Sequence, residues 1–120
     1  MDETVLFEET NYTYGTTSVT LSEPYTNFEM LDIYTSKGDV QRFLTSNEHG
    51  DSLPTLQHSS KNFLWLIPWS FTNSVTLTGA TGRLYELGTT NKYDVASNAQ
   101  YNRWIQPVKI VGINRISGGN

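Results

Sequence analysis

Cysteine is absent from this chain of 120 residues, so disulfides and thiolate metal sites are excluded and packing, within or between subunits, must hold the fold. Basic residues are scarce: 8 Lys and Arg stand against 12 Asp and Glu, a net charge of −4. Too few cations remain to neutralise phosphates, which argues against nucleic acid as a partner. Long apolar runs are missing too; the longest, Phe63 to Pro68, is too short to cross a bilayer, so no membrane insertion is expected. The first residues, Met-Asp-Glu-Thr, are acidic and carry no signal-peptide pattern. No window shows an apolar stripe at helical spacing.

The motifs of common chemistries are equally wanting. There is no Gly-x-Ser-x-Gly elbow, and Gly79-Ala80-Thr81-Gly82-Arg83 lacks the lysine and the spacing of a phosphate-cradling loop, so it reads as a turn. Acidic residues are scattered, and no motif selects a pair for glycoside hydrolysis. No enzymatic activity and no cofactor are expected.

What is present is a β vocabulary. Thr, Ser and Asn abound, aromatics reach 12% and charged residues only 17%, a composition that favours strands and polar turns. A chain of this length fits one domain, residues 1–120. Glycine-bearing turns fall at Tyr14-Gly15, Ser36-Lys37-Gly38-Asp39, His49-Gly50-Asp51, Gly79 to Gly82 and Leu87-Gly88. Between them the spacing predicts strands over Thr4 to Glu8, Ser18 to Leu21, Phe28 to Thr35, Val40 to Thr45, Phe63 to Ile67, Ser74 to Thr78, Leu84 to Leu87 and Gln106 to Arg115, an all-β fold arranged as an antiparallel sandwich. Ser36 to Asp39 predicts a hairpin, its glycine taking the positive φ of a tight turn.

Phe63, Trp65, Ile67, Trp69 and Phe71 share one parity, which an extended chain places on one face; Pro68 predicts an end, a bulge or an edge there. The last strand sets Val108 and Ile110 against Val111 and Ile113 on opposite faces, which predicts burial on both sides, with one face open to another subunit. Ser46 to Asn62 and Thr89 to Asn102 lack strand pattern and read as surface loops, where sandwiches usually carry binding.

Three constellations stand out. Trp65 and Trp69 offer flat apolar area to a sugar ring; Trp65 reads as core or interface, whereas Pro68 could turn Trp69 outward as a receptor residue. Tyr93, Asp94, Asn98, Tyr101, Asn102, Arg103 and Trp104 combine aromatics, amides and opposite charges and form the preferred receptor site. The plainer reading is a polar loop with Tyr101 and Trp104 tucked inward and a weak Asp94–Arg103 surface pair. His49, Asp51 and His58 have metal-ligating chemistry but no known ligand spacing, so no metal is expected.

Thr4-Val5-Leu6-Phe7, then Val19-Thr20-Leu21-Ser22-Glu23-Pro24 with Asn27-Phe28 and Ile33-Tyr34, then Val75-Thr76-Leu77 and Ile110-Val111-Gly112-Ile113-Asn114, taken in order, span nearly the whole chain. Together they resemble the C-terminal head, the receptor-binding tip domain, of bacteriophage tail fibres. The resemblance implies a jelly-roll-like β-sandwich assembled as a homotrimer at the tail-fibre tip of a virion. Such a tip binds a bacterial surface glycan or protein receptor, is joined to other tail-fibre or tail proteins, and ordinarily does no chemistry. The chain departs from the fibre pattern in having no collagen-like repeat and no heptad shaft. The aromatic run and the two loops lie outside the resemblance, so no family binding residue carries onto them. A structural domain that trimerises or caps a fibre, and a carbohydrate-binding accessory module, are the alternative expectations.

Overall fold

The computed structural model describes residues 2–9, 18–46, 55–79, 82–94 and 105–116. Strands dominate them, with one short 3₁₀ turn at Tyr25–Asn27 and no α-helix among the described residues. In chain order the strands are β1 (Glu3–Glu8), β2 (Ser18–Thr20), β3 (Phe28–Thr35), β4 (Val40–Leu44), β5 (Thr55–Ser59), β6 (Phe63–Asn73), β7 (Thr76–Gly79), β8 (Arg83–Glu86), β9 (Lys92–Asp94) and β10 (Pro107–Arg115). All pairings are antiparallel. Among the described residues no helix is long and apolar enough to cross a membrane.

One sheet has four strands in the order β1-β10-β3-β4, so the C-terminal strand lies between β1 and β3. The other six strands share β6: β2, β7 and β6 run along one end, while β5 and β8 both pair with its N-terminal half and β9 follows β8. One cluster of buried side chains draws on both sheets. Leu6, Leu31, Ile33 and Ile110 come from the first, and Val19, Leu56, Trp65, Ile67, Trp69, Leu77 and Leu84 from the second.

The expected strands all form, with shifted ends. β6 departs most, running to Asn73 through Pro68. Pairing with β5 stops at Pro68, and on the other side Leu66 pairs with Arg83 and Trp69 with Gly79, three steps on β6 against four opposite. The proline therefore sits where one partner ends and the other ladder slips by a residue, which accommodates its missing N–H. Two strands fall where loops were expected. β5 has a single core residue, Leu56, and β9 is exposed throughout, so neither advertises an alternating apolar face and both are held by their ladders.

On β10, Ile110 enters the shared core while Val111 and Ile113 are buried on the outer face of the four-stranded sheet, within a single chain. There they lie beside Val5, Met30 and the Asp32–Arg42 pair, a two-pronged contact at 2.7 and 3.0 Å. Val5, Val40 and Leu44 share this face and are about half exposed, at 48, 51 and 52%.

Between Val111 and Ile113, Gly112 leaves room for the Phe28 ring: a Cβ there would meet ring carbons at 2.6 Å. Arg115 covers the same ring at 4.7 Å and its guanidinium donates to Glu23 at 2.7 and 3.1 Å. Asn27 Nδ2 donates to Glu23 as well, at 3.0 Å.

Two outcomes follow from this corner. Gly112→Ala, which would otherwise gain from a stiffer unfolded chain, should instead lower stability in urea unfolding by about 1–3 kcal/mol through overpacking. The Arg115 hydrogen bonds, and after them the Asn27 amide, hold the Glu23 carboxyl at about 2, well below the usual 4.5. A depressed folded-state value means that the stabilisation is present above pH 4.5 and fades as pH falls from there toward 2. Because the pair is partly solvent-screened, the loss should stay below about 1 kcal/mol, and Glu23→Gln should flatten that part of a stability–pH curve.

Candidate functional site

The β3–β4 hairpin is wired to present one carboxylate. Gly38 takes φ +88°, the left-handed value its turn requires. Buried Thr35 organises the rest: its hydroxyl oxygen accepts from the N–H groups of Lys37 and Asp39 at 3.3 and 3.2 Å and donates to Asp39 Oδ2 at 3.4 Å. Ser36 ties the turn to the residue just before β10, its N–H donating to Gln106 O at 2.8 Å while its Oγ accepts from Gln106 N–H at 3.1 Å.

β5 brings up the partner. His58 pairs across the ladder with buried Trp65, whose ring centroid lies 5.5 Å away, and His58 Nδ1 meets Asp39 Oδ2 at 2.8 Å. Gln41 on β4 spans the same gap: oriented to satisfy both ends of its amide, it donates to Thr55 O at 2.9 Å and accepts from Gln57 N–H at 3.0 Å. A side-chain amide thus does for the backbone of β5 what a neighbouring strand would.

Beside these contacts opens a cavity of about 240 Å³. Asp39, Gln41, Gln57, His58 and Ser59 are its polar lining residues, and Val40 and Leu64 complete it. The side chains of His58 and Asp39 remain 23 and 35% accessible. Among the described residues, no protein hydrogen bond reaches Asp39 Oδ1 or His58 Nε2. The arrangement can therefore offer hydrogen-bonding atoms, anchored by packing, to a small polar ligand.

The residues expected to bind are placed differently. Trp69 is a correction: at 2% exposure its indole is packed in the core against Gly79, whose Cβ would touch the ring at 3.0 Å, and it presents no face to a sugar. Shared parity with Trp65 and Ile67 keeps it inward because the strand continues past Pro68. Its indole N–H is buried and meets no acceptor among the described residues.

Tyr93 and Asp94 are exposed, on β9 and not in a loop; Tyr93 Oη donates to Glu86 at 3.2 Å and Asp94 pairs with Arg83. In the order β5-β6-β8-β9 they stand three strand spacings from His58, ~14 Å. Asn98, Tyr101, Asn102, Arg103 and Trp104 lie outside the described residues, as do His49 and Asp51. His58 itself lies on β5, another correction to the loop expected there, and among the described residues no three metal-ligating side chains gather. Asp39 and Gln57 escaped the sequence reading: Asp39 was legible as a hairpin residue, but its meeting with His58, 19 positions on, leaves no local pattern.

No protein-family model, no curated protein and no solved structure matches the chain.

The Gln41 bridge can be tested by itself. Gln41→Ala should cost about 1 kcal/mol, the worth of a typical hydrogen bond. It should also speed hydrogen exchange at the Gln57 amide relative to its β5 neighbours, and unchanged exchange there would show that the bridge is idle.

Proposed function

We propose that this chain is a non-enzymatic receptor-binding domain at the tip of a bacteriophage tail fibre. In the virion it acts as a homotrimer of jelly-roll-like β-sandwiches that holds a saccharide or protein of the bacterial surface and is joined to other tail-fibre or tail proteins. The observation that carries the binding role is the cavity between β4 and β5, where no protein hydrogen bond from the described residues reaches Asp39 Oδ1 or His58 Nε2, on strands fixed by Thr35, Trp65 and Gln41. A single core shared by two antiparallel sheets supports the sandwich. The virion assignment is supported by the ordered segments from Thr4 to Asn114 that resemble fibre tips.

Val5, Val40 and Leu44 support the trimer, since they are exposed around the buried Val111 and Ile113 on one sheet face. Three weak sites held on one tip would raise avidity by roughly 10²–10⁴ where geometry allows simultaneous contact, so each site can be weak. The same apolar face favours a second reading, a structural domain that trimerises or caps a fibre and touches no host molecule. In that case the cavity would be idle.

Light scattering at several concentrations tests the assembly. The expected mass is three times 13.6 kDa, falling to one chain in Val40→Glu/Leu44→Glu. A wild-type mass of 13.6 kDa throughout would overturn the trimer.

A further inference from the structure

We infer that the ligand of the β4–β5 cavity is an uncharged sugar read through two adjacent hydroxyls, one donating to Asp39 Oδ1 and the other to His58 Nε2. This rests on the proposal that the cavity is the receptor site. The chemistry of the pair sets the complement. When Nδ1–H of a neutral imidazole donates to Asp39 Oδ2, the lone pair left on Nε2 is an acceptor. The carboxylate oxygen not used by His58 is an acceptor as well. A ligand that satisfies both must bring two O–H or N–H donors on neighbouring atoms, and the vicinal hydroxyls of a pyranose do so without a charge.

The other walls narrow the choice. Gln57 and Ser59 add polar groups for further ligand oxygens, while Leu64 offers aliphatic surface to a ring's C–H groups. An anionic ligand would face the Asp39 carboxylate with no Lys or Arg among the described residues of the wall to offset it. A cationic amine would find one carboxylate, already shared with His58, and no aromatic face among the lining groups to hold it. A large apolar protein anchor does not suit a mainly polar wall. The space, about 240 Å³, suits one sugar ring and not a chain of them. A shallow site of this kind should bind in the millimolar range.

The test is an NMR titration of the full chain with the methyl glycosides of glucose, galactose and mannose, with glucuronate and butylamine as charged controls. At least one neutral glycoside should shift Asp39, Gln57 and His58 together. Its affinity should fall at least tenfold in Asp39→Ala, in His58→Phe, which keeps a ring against Trp65, and toward a deoxy glycoside lacking one of the adjacent hydroxyls. Gln57→Ala, which leaves the Asp39–His58 pair untouched, should weaken binding less and serves if either other variant fails to give a folded spectrum.

Absence of shifts at these residues with every neutral glycoside, preferential binding of butylamine or glucuronate, or wild-type affinity in folded Asp39→Ala would each overturn the inference. Adsorption of labelled protein to a panel of bacterial strains separates it from the receptor reading. Adsorption without glycoside binding removes the sugar site and keeps the receptor role, whereas glycoside binding without adsorption does the reverse.

Discussion

The packing of the Phe28 ring onto Gly112 is the contact on which the rest of the four-stranded sheet turns. A side chain at position 112 would meet the ring, so β3 and β10 close without displacing Phe28 only with this glycine opposite Leu31. That closure brings Ile33 against Ile110 in the core and sets Met30 and Asp32 beside Ile113 and Val111 on the outer face. Arg115 seals the ring from solvent and is itself held by Glu23, so a partly exposed ion pair derives its use from the aromatic surface it protects. With β3 in place, its hairpin to β4 inherits a fixed position, and with it Asp39.

The second sheet is organised around β6. Trp65, Ile67 and Trp69 point into the core from alternate positions, and the strand stays long because its partners hand over at Pro68. Trp65 serves twice, filling the core and backing His58. The imidazole is thereby braced by a ring behind it and a carboxylate beside it. Such bracing keeps a polar group oriented at small cost on binding, because little freedom remains to be lost.

The sequence spoke clearly where a rule was local. The Phe28–Leu44 hairpin was legible from Gly38 between two alternating runs, and the inward face of β6 from the parity of its aromatics. β5 and β9 were not, because a strand with one core residue or none carries no alternation to detect. Trp69 set two local rules against each other, proline as breaker and parity as core signal; parity prevailed because the change of partner at Pro68 lets the strand continue. The site was the least legible part. Asp39 looks like a turn residue and His58 like a solvated one, and only the approach of strands from different sheets joins them.

That approach also explains why the cavity exists. β4 and β5 come together through the Gln41 amide and the Asp39–His58 contact, not through a continuous backbone ladder. A ladder would hold the strands ~4.8 Å apart and leave no space, whereas side-chain bridges hold them wider. The same bridges occupy groups on the edge of β5 that would otherwise invite another strand to pair. Since the gap is spanned by polar groups, its wall is mainly polar. Closing the junction between the sheets with side chains therefore both protects an edge and opens a cavity.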